Sequence, residues 1–221
     1  LSTLPNLEYL YLWNNRITDI NPLRNTQIRN LYISNNMLND LTPVVDMPRL
    51  VDLSIANNPS INNVDMLKPL ANSRIEYLDL DDLRINSLGP ILEMITLKRL
   101  DIEDTQITDI AGIDKITGLE NLNVSNLRLR DYSPIKNLPF LETLSVSNTN
   151  WTPAQLNNLV SPGSFEYLEY FRCWQCNITD LSFVKNIPFI RSLELHDNKI
   201  SDISPIYDLQ YLDSLTLERN Q

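Results

Sequence analysis

An α/β solenoid wound around a single parallel sheet is the fold class this sequence predicts, and three observations carry that expectation. Apolar residues that open a repeating unit stand at Leu7, Ile28, Leu50, Ile75, Leu97, Leu119, Leu141, Leu168, Ile190 and Leu212, separated by 21, 22, 25, 22, 22, 22, 27, 22 and 22 residues. Within a unit the pattern is L-x-x-L-x-L-x-x-N-x-I, as in Leu7, Leu10, Leu12, Asn15 and Ile17. The rest of the unit is rich in Asp, Asn and Pro, as in Asp19-Ile20-Asn21-Pro22-Leu23. A unit this short cannot bury its own apolar face, so successive units must stack into one continuous core.

The alternation across the fourth to sixth positions has the period of two that turns one face of a strand inward and the other outward. Each unit is therefore expected to give one short parallel strand. The second halves carry Pro and Asn too often for long helices, so extended or short 3₁₀ returns are expected on the convex side. At the ninth position Asn15, Asn36, Asn58, Asn198 and Asn220 are placed to satisfy backbone groups where the chain turns inward. Leu83, Thr105, Leu127, Thr149 and Cys176 replace that asparagine in the other units. A leucine makes none of those hydrogen bonds, and the central turns are expected to be locally irregular.

Two units are longer than the rest. The one from Leu50 gains three residues around Asn58-Pro59-Ser60 and Leu70–Arg74, and a slightly bulged return is expected. The one from Leu141 gains five, and there Thr152 can cap, Pro153 suits a first helical turn and Pro162-Gly163 ends it. One short helix near 153–160 is expected, widening the convex side.

Composition narrows the class further. With 43% hydrophobic and 21% charged residues, the chain is an ordinary folded globular protein, long enough for a continuous core. No apolar run approaches the roughly 18 residues that cross a bilayer, so no membrane insertion is expected within this segment. The formal charge of −10 repels phosphates and argues against nucleic acid. A basic protein surface is the expected complement. The chain begins at Leu1 and stops at Asn220-Gln221 within a unit, with no polar cap at either end. Residues 1–221 are read as a single repeat domain that is a piece of a longer protein.

Enzymatic constellations are tested and set aside. Cys173 and Cys176 form a C-x-x-C, yet they occupy the third-leucine and asparagine positions and are expected to point inward as small core residues. A zinc site needs four ligands and a thioredoxin-type pair needs a helix start. His196 is the only histidine, the four glycines form no phosphate-cradling loop, and no H-E-x-x-H occurs. Asp81 and Glu103 resemble an acid/base couple but are expected on an open face without a cleft. No catalytic residue, cofactor or metal is expected; a calcium ion would need about six to eight oxygens converging from a flat surface.

The residues between the inward leucines point outward and line up with their equivalents about 4.8 Å away on the next strand. Read as columns, they fall into three zones. Tyr9, Tyr11, Trp13 and Tyr32 cluster towards the N-terminus. Tyr77, Asp79, Asp81, Asp101 and Glu103 lie in the centre, with Asp82 and Asp104 beside them and Lys98 and Arg99 as partial relief. Tyr170, Arg172, Trp174 and His196 stand towards the C-terminus. Folding gives no reason to leave so many aromatic rings in water, whereas Trp, Tyr and Arg are the residues enriched at binding hot spots. These three zones are the expected partner-binding residues, the acidic centre matching a Lys/Arg-rich partner.

The units Leu7–Leu23 (LEYLYLWNNRITDINPL) and Ile190–Ile206 (IRSLELHDNKISDISPI) carry the tail N-x-I-[TS]-D-I-x-P-[LI]. In this they resemble the 22-residue leucine-rich-repeat class of bacterial internalins and of the regulatory subunit of protein phosphatase-1, over residues 4–221. The resemblance implies a right-handed horseshoe whose concave parallel sheet grips another protein. Internalins use exposed aromatic residues on that face, and Tyr11, Trp13, Tyr32, Tyr170 and Trp174 match them by position. The expected function is thus a protein-binding module, the recognition domain of a secreted or surface bacterial protein. Two alternatives are an intracellular scaffold or phosphatase-type regulator, and an accessory domain of an enzyme whose catalytic part lies outside the chain.

Overall fold

A computed structural model describes residues 4–221. Among them, ten three-residue strands form one parallel sheet in sequence order: β1 (Tyr9–Tyr11), β2 (Asn30–Tyr32), β3 (Asp52–Ser54), β4 (Tyr77–Asp79), β5 (Arg99–Asp101), β6 (Asn121–Asn123), β7 (Thr143–Ser145), β8 (Tyr170–Arg172), β9 (Ser192–Glu194) and β10 (Ser214–Thr216). The strands begin one residue before the alternating trio. Ladder bonds continue beyond them, with Leu12 N–H donating to Tyr32 O at 2.7 Å and Asn14 N–H to Ser34 O at 3.1 Å. The result is the single-sheet solenoid that the periodicity implies, in keeping with the horseshoe that the resemblance to leucine-rich repeats implies.

The register aligns the second apolar position of every unit, so Leu10, Leu31, Leu53, Leu78, Leu100, Leu122, Leu144, Phe171, Leu193 and Leu215 form one file. From Leu31 to Leu193 this file is fully buried, while Leu215 is 37% exposed because the last strand has a neighbour on one side only. Together with the first- and third-position leucines and the apolar residues of the returns, it makes one core running the length of the sheet.

Each strand ends in the same turn. The residue at the eighth position of all ten units has positive φ, between 47° and 60°: Asn14, Asn35, Asn57, Asp82, Asp104, Asn126, Asn148, Gln175, Asp197 and Arg219. Eight of these are Asn or Asp, the non-glycine residues that tolerate the left-handed region best. The expected irregularity of the central turns is therefore absent. Asp82 and Asn126, just before Leu83 and Leu127, hold φ of 53° and 59°, the same as where the asparagine follows. The left-handed residue and the ladder bond of its own N–H set the turn; the ninth side chain only satisfies what is left over.

That second task is visible where asparagine is present. Asn58, wholly buried, donates to Ile33 O, Ile55 O and Ala56 O and accepts from Leu38 N–H at 2.9 Å, tying one unit to the previous one. Thr105 and Thr149 reproduce only the short-range part, donating to Ile102 O and Val146 O at 2.9 and 2.6 Å. Cys176 sits against Trp174 O and Val146 O at 3.3 and 3.4 Å. Both cysteines are buried free thiols, as expected, and burial pushes the Cys173 thiol up.

The returns are 3₁₀ segments, and the three-residue insertion becomes the longest of them, Val64–Leu70, capped by Asn63 and carrying Pro69 inside. The five-residue insertion forms α1 (Pro153–Leu159), where Thr152 and Gln155 close a reciprocal capping box and Leu156 and Leu159 face the core. Trp151, also buried, packs on Tyr132 at 4.4 Å and anchors the helix entry.

Leu122→Ala, in the middle of the buried file, should cost about 2–5 kcal/mol in denaturant unfolding, and a cost near zero would contradict the register. Gln175→Asn should instead raise the unfolding midpoint, since asparagine accepts the left-handed φ of 53° more readily than glutamine.

Candidate protein-binding face of the sheet

The face turned away from the leucine file presents the third, fifth and seventh positions of every unit. At its N-terminal end Tyr9, Tyr11 and Trp13 are 58, 61 and 56% exposed. Tyr11 stacks on Tyr32 across the β1–β2 pair, with ring centroids 5.0 Å apart and planes 5° from parallel. Parallel, in-register strands force this, because identical positions lie side by side.

At the other end, β8 and β9 bring Tyr170, Arg172, Trp174, Glu194 and His196 together. Arg172 Nε donates to Glu194 Oε1 at 2.8 Å, and Trp174 stacks on His196 at 5.6 Å with planes 6° apart. The imidazole is oriented by Asp197, whose Oδ2 lies 2.7 Å from Nδ1. Arg219 also grips that carboxylate, and this hydrogen bond, followed by the one from His196, holds its pKa well below the usual carboxylate range.

The acidic centre occupies β4 and β5, with Asp79 directly beside Asp101. Its relief does not come from the two cations expected to provide it. Lys98 reaches Glu76 at 3.4 Å, and Arg99 stands at the strand start in the column of Tyr77 and Asn121. Neutral donors surround the carboxylates instead. Ser54 Oγ donates to Asp79 Oδ2 at 2.5 Å; Asn123 Nδ2 donates to Asp101 Oδ2 at 3.1 Å and Glu103 Oε2 at 2.8 Å; Asn126 Nδ2 donates to Glu103 Oε1 at 2.8 Å. Asp79 and Asp101 also have a backbone task, each accepting from the N–H two residues on, at 3.1 and 3.0 Å.

Donors of this kind stabilise charge only in part. Burial, and then Asp101, Glu103 and Asp79, push the Asp81 carboxyl up to about 7, and its Oδ1 is buried without a partner. Burial likewise pushes Asp101 up to about 6, against the opposing pull of the Glu103 N–H and the Asn123 amide. Burial and the flanking carboxylates hold the Tyr77 phenol well above its usual range.

The three zones do not merge. β2 and β8 are six strand spacings apart, about 29 Å at the usual interval. Small residues fill the gaps: Ser54 and Ala56 on one side of the acidic centre, Ser125, Ser145 and Ser147 on the other, all buried beneath the larger neighbours. Between the acidic centre and Arg172 this leaves a shallow hollow of about 210 Å³, bounded by Tyr77, Asp101 and Arg172 over a floor of Asn123, Thr143 and Ser145. The floor was not expected from the sequence, where its only signal is a run of small polar residues between two columns of large ones.

Residues 5–44 match the family of leucine-rich repeats, in two copies. No curated protein matches the chain. Among solved structures, an internalin (inlF) from Listeria monocytogenes is 27% identical, with a TM-score of 0.75 over 99% of this chain and 62% of its own. A leucine-rich-repeat protein of Leptospira interrogans is 25% identical, with a TM-score of 0.71 over 100% of this chain and 57% of its own. The ectodomain of the Arabidopsis thaliana receptor kinase GASSHO1/SCHENGEN3, in complex with CASPARIAN STRIP INTEGRITY FACTOR 2, shares the fold at 19% identity, with a TM-score of 0.69 over 100% of this chain and 28% of its own. The chain thus spans less than two thirds of each of these three. It is a leucine-rich-repeat protein, and so has the fold of a protein–protein interaction module. Its repeats are of the internalin-like type.

The raised carboxyl groups make stability depend on pH. Because Asp81 and Asp101 hold a proton more tightly folded than unfolded, their contribution is complete below the unfolded value of about 4 and lost as pH climbs through about 6 to 7. The carboxyls pulled down by their own turns, Asp40, Asp131 and Asp202, act in the opposite sense and only at lower pH. The thermal midpoint should therefore rise between pH 7.5 and 5, and Asp81→Asn/Asp101→Asn should flatten that rise; an unchanged slope would refute it.

Proposed function

We propose that the outer face of the sheet is the recognition surface for a folded protein partner, and that the chain is the recognition domain of a secreted or surface bacterial protein. The observation that carries this reading is aromatic exposure at two places on one face: Tyr9, Tyr11 and Trp13, each more than half in water at the edge strand β1, and Tyr170, 40% exposed on the interior strand β8. Such rings supply large apolar area with few rotatable bonds, which is why they recur as hot spots. A second cluster around Tyr170, Arg172 and Trp174 lies far enough away that one partner gripping both would cover an interface of ordinary size.

The acidic centre between them favours a partner that brings a Lys or Arg side chain, and the hollow beside Asp101 has room for one. Charge there acts on approach and on selectivity more than on total affinity. The likeness to an internalin and to a Leptospira protein supports the bacterial setting. The plant ectodomain, solved with its factor bound, supports use of the fold for holding another protein.

Affinity capture with the native chain and with Trp13→Ala/Trp174→Ala tests the proposal, since each tryptophan anchors one cluster. The double variant should lose the partners that the native chain retains, by tenfold or more in titration, a loss of about 1.4 kcal/mol. Retention of every partner at native affinity would sink it.

A further inference from the structure

Several returns pass into the next strand through a tight turn that closes on the first apolar residue of the following unit, as in Leu119 N–H to Ile116 O at 3.1 Å, Ile190 N–H to Ile187 O at 3.2 Å and Leu212 N–H to Leu209 O at 3.4 Å. The residue just before that leucine has no inward position open to it. In the first six units it is Asn6, Gln27, Arg49, Arg74, Thr96 and Gly118. In the last four it is Phe140, Tyr167, Phe189 and Tyr211, and these are 52, 48, 50 and 48% exposed. The rings form a ridge along the flank of the solenoid, Phe140 tilted on Tyr167 at 6.0 Å and Phe189 on Tyr211 at 5.7 Å.

Beside the ridge runs a groove of about 410 Å³, where Tyr167, Phe189 and Tyr211 meet Glu142, Glu166, Glu169 and Arg191. The guanidinium is already engaged, its Nε 3.3 Å from Glu169 and its Nη1 3.2 Å from Asp213. Glu142 and Glu166 are exposed and pair with no cation among the described residues. The groove therefore offers aromatic faces and surplus negative charge together, a combination that a long cationic side chain satisfies at both ends. Its stem lies on a ring, its head group meets the carboxylate, and the cation gains from the ring quadrupole.

We propose that this flank is a second docking surface, separate from the outer face of the sheet, and that it takes an extended basic segment of a protein partner. In an extended chain alternate side chains lie about 6.6 Å apart, close to the ring spacings within the ridge. A segment with Lys or Arg at every second position thus matches the groove in step as well as in charge. A wholly apolar segment fits worse, because it would desolvate Glu142 and Glu166 without pairing them.

The test is fluorescence anisotropy with a labelled octapeptide of alternating glycine and arginine at about 50 mM salt, where exposed charge is weakly screened. The native chain should bind it saturably, less tightly as salt rises, and should bind an alternating glycine–glutamate peptide about tenfold more weakly or not at all. Tyr167→Ala/Phe189→Ala and Glu142→Gln/Glu166→Gln should each weaken binding about tenfold, and Glu93→Gln/Asp109→Asn, exposed carboxylates outside both surfaces, by no more than about twofold. Thermal melting checks that each variant is folded; if the ring pair is not, the glutamine pair decides. No saturable binding by the native chain, native affinity in the folded flank variants, equal binding of the acidic peptide, or displacement by a neutral hexasaccharide would overturn the proposal. Loss of binding in Asp79→Asn/Asp101→Asn with the flank variants unaffected would also overturn it and assign the peptide to the outer face.

Discussion

The in-register stacking of one buried file of leucines against a parallel ladder constrains everything else in this molecule. A parallel strand must be followed by a return to the end of the sheet where it began, and here strand and return together take about 22 residues because a left-handed residue turns the chain inward at the same place in every unit. With that step repeated, equal positions fall side by side. Tyr11 lies on Tyr32, Asp79 beside Asp101, and Trp174 on His196. No interaction among these side chains is needed to bring them together, which leaves the outer face free to carry residues chosen for something other than stability.

That freedom has a physical cost at the centre. Four carboxylates on two adjacent strands repel, and the nearest cations are engaged elsewhere or aligned with other columns. The protein meets the problem with amide and hydroxyl donors and by letting Asp81 and Asp101 keep their protons into the near-neutral range. A cationic partner would shift that balance towards the charged forms. The same arithmetic of surplus acid beside aromatic rings recurs on the flank, in a column where the first six units show no comparable feature. The surface chemistry thus changes along the solenoid while the core does not.

The architecture was legible because it rests on a short-range rule repeated ten times. The strand positions, the 3₁₀ returns, the inward cysteines and the capped helix after Thr152 all follow from local patterns of apolar residues, Pro and capping groups. The exception is the turn after each strand, where a job expected of one residue is shared by two. Leu83 and Leu127 were expected to disturb the turn, yet Asp82 and Asn126 before them already hold the left-handed conformation. A column of Asn and Asp at the eighth position was present in the sequence as the signal for it.

By itself, then, the sequence determined the fold class, the register and which side chains would share a face, since those depend on period and polarity alone. Only the tertiary structure decided which neighbours those side chains would find. The choice of Asn123 and Ser54 over Lys98 and Arg99 as partners of the acids, the hollow beside Arg172 and the aromatic ridge of the flank depend on side-chain reach and on curvature across strands. Neither is encoded in the spacing of the leucines, because the same spacing is compatible with any residue that points away from the core.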